Sequence, residues 1–452
     1  MRLPRERNDT SPRFIRVSTV PTRIEQFGIS LFRPGRFGRQ VATLAGGTAV
    51  SQAIILASAP LLTRLYSPEA FGMVGAFLSL HAILLTTMCG GYEFATPIAE
   101  EDVTAANLTT LCGVVALVMG TVFSLVLWQG GDWLVSGSRE FSLKPYLWLF
   151  PPVLLIGALL NAIHYWSLRE RAYAQVSQAR IAQSISRALT QGGLGVAWAS
   201  PFGLIFGEAL GMLLSFGLLG RRAWRESARG FQRVSWAGMR EAARRYIKFP
   251  LLTMPGALVG GLATGLPCIL LPILYSPLEA GLFFVARRFA FAPTTLISCA
   301  VGNVFFVELA AGKRDRQRTM RQFLRLTAVL TALALAGALV LCTAPAWAAL
   351  LFGPGWDLAG WILLAVTPML VGWFVVTPLY RVYYVFEKQQ VLTGLELVRL
   401  VLTAYVLLAG AAAGQSVVTV VWWLSWGMFF LSCLHWAVML SILQRANKVP
   451  TQ

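Results

Sequence analysis

Twelve long apolar segments determine what this chain can fold into. A helix that crosses a membrane needs about 20 mostly apolar residues, and the sequence meets that requirement again and again. The predicted spans are residues 41–63, 71–91, 107–129, 146–168, 177–199, 201–220, 250–274, 279–301, 323–346, 358–382, 390–412 and 416–442. With 56% hydrophobic and 13% charged residues among 452, the chain has too many apolar segments for one soluble core. The sequence therefore predicts an all-α polytopic membrane protein.

A short motif occurs twice and divides these spans into two sets of six. The first copy, Leu65-Tyr66-Ser67-Pro68 followed by Gly72, reappears 209 positions later as Leu274-Tyr275-Ser276-Pro277 followed by Gly281. In such a connection serine can cap a helix, proline fits the first helical turn and glycine permits close packing. Chance recurrence of turn residues is the alternative. Because many transporters are built from duplicated halves around a central site, the repeat predicts two related six-helix lobes.

The segments outside the spans complete the predicted organisation. The lobes cover residues 41–220 and 249–443, and a cytoplasmic linker, 221–248, joins them. Basic residues at helical spacing beside Trp236 and Met239 predict an amphipathic linker helix along the headgroups, with a solvated helix as the alternative. Residues 1–40 carry nine arginines and 444–452 are short and polar, which predicts two cytoplasmic tails.

The distribution of basic residues predicts the orientation. With the amino terminus inside, 30 of the 38 Lys and Arg fall in cytoplasmic segments and three in the opposite loops. Such a bias is typical of multi-pass membrane proteins with a positive cytoplasmic face. The formal charge of +18 therefore reports topology, and we expect no nucleic-acid partner.

Signatures of enzymes, cofactors and metal sites are not found in the sequence. The six cysteines show no C-x-x-C spacing and no Cys/His cluster, so neither a disulfide nor zinc is predicted. A nucleotide-binding loop, a nucleophile elbow and a zinc-protease motif are also missing. We expect a protein that is not an enzyme and has no cofactor.

Two adjacent arginines in the eighth span are the first candidate binding residues. Arg287 and Arg288 lie near the middle of span 279–301. A charge there costs about 2.5–3.5 kcal/mol against lipid, so both should face a protein interior or a water-filled cavity. Guanidinium groups fit phosphate oxygens two at a time, which indicates anion binding. The alternative is that one of them pairs with an acid such as Glu208 or Glu396.

The fifth span adds candidates on one helical face. Arg180, Ser184, Arg187 and Gln191 follow a 4, 3, 4 spacing, which places them on the same side of a helix. We expect this face to be wet. Hydrogen bonding between helices is the alternative, and it explains Ser184 and Gln191 better than Arg187.

Further polar residues stand in the first and eleventh spans. Gln52 lies among Thr48, Ser51 and Ser58 on one side of the first span, and Arg64 stands at its outer end. Gln52 and Arg64 are further candidates for substrate binding, with an interfacial position as the alternative for Arg64. Glu396 and Arg399 lie one turn apart, so we expect them largely to neutralise each other.

The first lobe contains a recognisable sequence. SQAIILASAPLLTRLYSPEAFG, followed by an apolar span, Gly90-Gly91-Tyr92-Glu93 and an acidic stretch, closely resembles the polysaccharide transport family, the Wzx-type oligosaccharide flippases. The segment His164-Tyr165-Trp166-Ser167-Leu168-Arg169 is a second, shorter similarity. Family members often carry a basic residue before the Tyr-Glu pair, where this chain has Gly91. Multidrug and toxin extrusion transporters and the lipid II flippase are more distant relatives within the superfamily.

The resemblance implies a function. A member of this family would carry undecaprenyl-diphosphate-linked repeat units from the inner to the outer leaflet of the bacterial inner membrane, for lipopolysaccharide or exopolysaccharide synthesis. Its partners would be the lipid-linked oligosaccharide, membrane lipids, and a polysaccharide polymerase with a chain-length regulator. The alternatives are a multidrug exporter of the same superfamily and a membrane polymerase or glycosyltransferase.

Overall fold

The structure is a computed structural model that describes residues 36–135, 141–311 and 316–445. Within these residues the chain is helical and contains no strand. The chain divides into two compact units, Met1–Arg39 and Gln40–Gln452. Of the first unit only residues 36–39 are described, at the start of a helix, and most of both predicted tails lies outside the described residues. All contacts given below lie in the second unit.

Sixteen α-helices follow one another in the described part of the chain. The first half contains α1 (Arg36–Leu65), α2 (Pro68–Met88), α3 (Asp102–Val135), α4 (Phe150–Arg169), α5 (Tyr173–Ala197), α6 (Pro201–Phe231) and α7 (Trp236–Arg245). The second half contains α8 (Met254–Leu274), α9 (Pro277–Ala311), α10 (Arg316–Cys342), α11 (Ala344–Phe352), α12 (Asp357–Ala365), α13 (Thr367–Leu379), α14 (Arg381–Val385), α15 (Gln389–Ala412) and α16 (Val417–Arg445).

Most of the predicted spans correspond to helices that are long and apolar enough to cross a membrane. Among the described residues ten helices meet this requirement, and an eleventh is obtained if α12 and the helix after it form one bent span. The bend of 49° falls next to Pro368, which cannot continue the hydrogen-bond ladder of α12. Helix α5 occupies the remaining predicted span with 25 residues, but its polar residues keep it out of this set. The chain is thus a multi-pass helical membrane protein.

The predicted linker, 221–248, contains two different structures. Helix α6 continues through its first part and ends at Phe231, and α7 occupies its second part. Ser235 begins α7, because its side chain accepts a hydrogen bond from Gly238 N at 3.1 Å. The backbone of Ser235 also donates to Asn107 Oδ1 on α3 at 3.1 Å. One face of α7 therefore packs on the bundle, while Trp236 on the other is 71% exposed.

The two copies of the repeated motif contact each other. Helix α2 begins after the first copy and α9 after the second, and the two helices cross at Gly72 and Gly281. A Cβ atom on Gly72 would overlap the carbonyl oxygen of Pro277, and a Cβ atom on Gly281 would overlap that of Pro68. Each glycine thus lies against the proline of the other copy, as expected for a pseudo-twofold axis between the halves.

Aromatic side chains close the same end of the bundle. Trp356, just before α12, donates a hydrogen bond from Nε1 to the carbonyl oxygen of Thr63 at 2.9 Å. Its ring also meets Phe71 edge to face, with centroids 5.5 Å apart. Thr63 and Phe71 belong to the first half and Trp356 to the second, so these contacts join the halves. We call the contacts of Gly72, Gly281, Thr63, Phe71 and Trp356 the closed end.

The glycine crossing predicts a clear effect of adding one methyl group. Gly72→Ala and Gly281→Ala should each lower stability, by about 1–3 kcal/mol, because the new Cβ forces the two backbones apart. The measurement is the melting temperature of the purified protein in detergent. Gly337→Ala is the matched control, since no atom lies within 4 Å of a Cβ at that position in α10. Equal melting temperatures for Gly72→Ala and Gly337→Ala would contradict the close crossing.

Candidate functional site

A cavity of about 820 Å³ lies between the two halves of the bundle. Residues of α1, α2, α5, α8, α9, α13, α15 and α16 line it. It begins at Leu78 and Phe284, about one to two helical turns from the closed end, and reaches Thr86 and Ala257. Because Thr86 is in the last turn of α2 and Ala257 in the first turn of α8, the cavity extends toward the opposite end of the bundle.

Four arginines line this cavity, namely Arg187 from α5, Arg287 and Arg288 from α9, and Arg399 from α15. All four stand within the transmembrane region of the bundle. Guanidinium groups at this depth cost several kilocalories per mole unless they are paired or hydrated. The partners of each arginine therefore decide what the cavity can bind.

Arg187 is paired with an acid on the neighbouring helix. Its Nη1 lies 3.0 Å from Glu208 Oε2 and 3.3 Å from Oε1, and both residues are buried. Its Nη2 has no hydrogen-bond partner among the described residues. Helix α6 can approach so closely because Gly207 and Gly211 face α5. Arg187 is thus compensated in charge but keeps one donor that can turn to the cavity.

Arg399 is held on three sides. Its Nη2 lies 2.5 Å from Glu396 Oε2 and donates to Thr264 Oγ1 at 2.9 Å and to the carbonyl oxygen of Gly260 at 3.0 Å. The indole of Trp373 covers the guanidinium, with 4.6 Å from Cζ to the ring centroid. This confirms the expected pairing of Glu396 with Arg399. The structure also places Arg399 at the cavity wall.

Arg287 and Arg288 have no such compensation. Arg287 donates to Cys268 Sγ at 3.5 Å, and Arg288 lies over the ring of Phe284 with its Cζ 6.0 Å from the centroid. In the part of the chain that the structure describes, neither forms a salt bridge. Glu208 attracts Arg288 at longer range, while Arg187 repels it. Four guanidinium groups and two carboxylates leave this region with a formal charge of +2.

The repeat explains why the charge is concentrated on one helix. Positions 209 residues apart are equivalent, so Gly75 corresponds to Phe284 and Ser79 to Arg288. Gly75 lies against the Phe284 ring, which shows that equivalent positions meet along the α2–α9 contact. At the closed end the contact between α2 and α9 is made by two glycines. One turn further Gly75 meets Phe284, and one turn beyond that Ser79 and Arg288 line the cavity. Of these two helices, α9 therefore supplies the cationic groups Arg287 and Arg288, and α2 supplies small residues that leave room for them.

The structure brings together some of the predicted binding residues. Gln52 lines the cavity with Arg187, Arg287 and Arg288. Gln191 lines an adjoining pocket of about 40 Å³ with Arg187 and Arg288, although its Nε2 donates to the carbonyl oxygen of Leu204 at 2.8 Å.

Arg180 and Arg64 are placed elsewhere. Arg180 donates to Thr48 Oγ1 of α1 at 2.9 Å and does not line the cavity. Arg64 donates to the carbonyl oxygen of Leu350 at 3.1 Å, beside the closed end. The first joins α5 to α1, and the second joins the two halves, so neither is positioned to contact a ligand in the cavity.

The expectation of a wet face on α5 is corrected. Ser184 forms a hydrogen bond with Ser51 of α1, and the Gln191 carbonyl accepts one from Tyr66 Oη at 2.7 Å. This face is packed between α1 and α6, because polar groups in an apolar environment seek partners on neighbouring helices. The alternative of interhelical hydrogen bonding applies to Ser184 and Gln191. Arg187 alone of this set reaches the main cavity.

Sequence reasoning underestimated Arg399 and overlooked Trp373. The ion pair with Glu396 was visible in the spacing, but the position of the pair at the cavity was not. An arginine inside an apolar span was itself a sufficient signal to include it. The contact with Trp373 comes from another helix, 26 positions earlier in the chain, and no local sequence pattern predicts it.

Comparison with known proteins agrees with this architecture. A family model described as "Polysaccharide biosynthesis protein" matches residues 61–360. No curated protein matches the sequence.

Three solved structures with a similar fold are distant in sequence. The lipid II flippase MurJ in an inward closed conformation has a TM-score of 0.70 at 12% identity, covering 89% of this chain and 90% of that one. A MOP superfamily transporter from Pyrococcus furiosus, described as having a binding pocket of reverse polarity that suggests a different function, has a TM-score of 0.64 at 13% identity, covering 94% and 99%. An inward-facing multidrug resistance MATE family transporter has a TM-score of 0.62 at 13% identity, covering 91% and 96%. The chain therefore has the fold of MOP superfamily transporters.

The buried Arg187–Glu208 pair predicts a large effect of removing one charge. Glu208→Gln should destabilise the protein by about 3–5 kcal/mol, because it leaves a buried guanidinium without its partner. Thermal unfolding in detergent measures this. Glu226→Gln is the control on the same helix, where Arg222 and Glu226 form an exposed pair, and it should leave the melting temperature nearly unchanged. Similar losses in both variants would show that Arg187 does not depend on Glu208.

Proposed function

Because this chain belongs to the polysaccharide biosynthesis protein family, we propose that it is a flippase for undecaprenyl-diphosphate-linked oligosaccharide repeat units. It would move them from the inner to the outer leaflet of the bacterial inner membrane, by alternating access, for envelope or exopolysaccharide synthesis. A polysaccharide polymerase and a chain-length regulator would act on the units after transfer.

The observation that carries the proposal is the charge of the central cavity. A diphosphate that links a lipid to a sugar carries two negative charges, and the cavity region carries a formal +2. Arg287 and Arg288 have no carboxylate partner in the described residues, so their donors can turn to phosphate oxygens. Bidentate guanidinium contacts would replace the water that the headgroup loses on leaving the membrane surface.

The shape of the cavity fits one step of an alternating-access cycle. The closed end lies where α2 and α9 begin, and the cavity extends toward the other end of both helices. With the predicted orientation, in which both termini are cytoplasmic, the closed end faces outward. The cavity would then receive a headgroup from the inner leaflet. Separation of Gly72 from Gly281 would open the outer side for release.

Energy for transport need not come from a nucleotide. Moving negative charge outward follows an inside-negative membrane potential, which contributes about 2.3 kcal/mol per charge per 100 mV. For a headgroup with two negative charges, this driving force is doubled. The lipid tail would stay in the bilayer during the transfer, so only the headgroup has to be accommodated in the cavity.

The MATE family neighbours make a multidrug exporter the second candidate. A site for cationic drugs should present acidic or aromatic groups to its ligand, whereas both cavity-side carboxylates here are engaged by arginines. A polymerase or glycosyltransferase is the third candidate. The large extracytoplasmic loop that such an enzyme would need has no place in the described chain, where the connections between helices are short.

Transport by cavity variants tests the proposal. In vesicles loaded with a labelled lipid-linked saccharide on the inner leaflet, Arg287→Gln and Arg288→Gln should each slow transfer about ten-fold or more, because each removes charge-assisted hydrogen bonds. Arg287→Lys and Arg288→Lys should each retain part of the rate, since lysine keeps the positive charge but not the paired N–H donors of a guanidinium group. The rate of appearance of label in the outer leaflet is measured.

Arg325→Gln is the control, because Arg325 is an exposed arginine in α10 away from the cavity. Its transfer rate should equal that of the unmodified protein. Undiminished transfer by Arg287→Gln, by Arg288→Gln and by the double variant would exclude this cavity as the headgroup site.

The location of accumulated intermediates separates a flippase from a polymerase. In cells that lack the protein, lipid-linked repeat units should be retained in the inner leaflet, because the step that exposes them is missing. Protection of the repeat units from an added, membrane-impermeant glycosidase measures the fraction that remains in the inner leaflet. Single repeat units that accumulate on the outer surface would identify a polymerase instead.

A further inference from the structure

A second polar cluster lies in the first half, away from the cationic cavity. Cys89 ends α2, and Gly90 and Gly91 follow with φ of +62° and +76°, which reverses the chain. This turn returns Glu93 to the side of Cys89, and α3 contributes Cys112. One ligand atom from each of the three residues lies within 4.8 Å of the other two.

The cluster is completely enclosed. Cys89 and Cys112 are 0% exposed and Glu93 is 1% exposed. Asn161 of α4 donates from Nδ2 to Glu93 Oε1 at 3.4 Å, while Oε2 has no partner among the described residues. A buried carboxylate oxygen without a partner costs free energy, and native structures rarely tolerate one without a reason. The unpartnered oxygen and the two thiols therefore offer three ligand atoms to a cation.

The donor set selects the class of cation. Two cysteine sulfurs and one carboxylate oxygen suit a borderline ion such as Zn²⁺, whereas Na⁺, Mg²⁺ and Ca²⁺ prefer oxygen ligands alone. Tetrahedral Zn²⁺, with bonds of about 2.3 Å to sulfur and 2.0–2.2 Å to oxygen, needs ligand atoms about 3.6–3.8 Å apart. Contraction by about 1 Å at the widest pair meets this requirement, which is within the reach of side-chain rotation. Hydrogen bonding from Asn161 would hold the carboxylate in place.

We propose that Cys89, Glu93 and Cys112 bind one Zn²⁺, which fastens the end of α2 to α3. Both thiols release their protons to solvent on binding, and Cys89 Sγ exchanges its hydrogen bond to the carbonyl oxygen of Ala158, at 3.6 Å, for the bond to the metal. The ion stands at the opposite end of α2 from Gly72, so it would anchor that helix in its own lobe while the glycine end separates from α9. This site is independent of the cargo, and its occupancy does not depend on the proposed transport function.

Metal analysis of the full-length protein tests the proposal. The protein is purified in detergent with its affinity tag removed, stripped with a chelator, and titrated with Co²⁺ and then Zn²⁺. We expect a thiolate-to-cobalt charge-transfer band that one equivalent of Zn²⁺ abolishes. We also expect a Zn²⁺-dependent rise in melting temperature, because the ion binds the folded state.

Variants assign the ligands. Cys112→Ser and Glu93→Gln should each weaken Zn²⁺ binding by at least about ten-fold, and Asn161→Ala should weaken it about ten-fold through the carboxylate it orients. Cys342→Ser is the matched control, since Cys342 is an exposed cysteine at the end of α10. It should bind Zn²⁺ like the unmodified protein.

Three results would overturn the proposal, and two of them need no variant. The first is that the unmodified protein shows no charge-transfer band and no rise in melting temperature with Zn²⁺. The second is that peptide mapping without reductant finds Cys89 joined to Cys112 in a disulfide. Equal affinity of Cys112→Ser and Cys342→Ser would place any bound metal elsewhere.

Discussion

Burial of charge in a membrane governs this structure. An arginine inside an apolar span must be paired, hydrated or bound to a ligand, because the bilayer offers no other compensation. The chain uses two of these solutions in one place. Arg187 and Arg399 are neutralised by Glu208 and Glu396, whereas Arg287 and Arg288 face a cavity of about 820 Å³ without an acid. The paired arginines fix the walls, and the unpaired ones leave the cavity region with a formal charge of +2.

The duplicated motif decides where that cavity can open. Gly72 and Gly281 bring two backbones into contact at the pseudo-twofold axis, and a side chain larger than hydrogen would hold them apart. Three to seven positions further along the same helices, the equivalent residues diverge into Gly75 with Phe284 and Ser79 with Arg288. A symmetric contact thus lies directly beside an asymmetric, cationic site. Under the proposed alternating-access cycle, separation of this contact would couple access to binding.

Much of the fold, and part of the site, could be predicted from the sequence. Apolar runs predicted where the helices lie, since the thickness of a bilayer sets the length of a span, but α6 and α9 continue about ten residues beyond the predicted ends at 220 and 301. The repeat predicted related halves, and in-span charge predicted Arg287 and Arg288 at the cavity. Spacing on α5 identified a polar face but could not tell water from a neighbouring helix, because partners such as Ser51 and Leu204 lie on other helices. The cluster of Cys89, Glu93 and Cys112 could not be predicted for the same reason, since a left-handed turn and a second helix bring these residues together.

Equilibrium binding tests the central claim most directly. A short-chain prenyl-diphosphate sugar and its monophosphate counterpart differ by one phosphate group and the negative charge that it carries, so comparison of their dissociation constants by calorimetry on the purified protein measures the contribution of that group. A cavity region with formal charge +2 predicts tighter binding of the diphosphate by about ten-fold or more, with the preference decreasing as salt is added. Equal affinity for the two ligands, at low and high salt alike, would contradict the account.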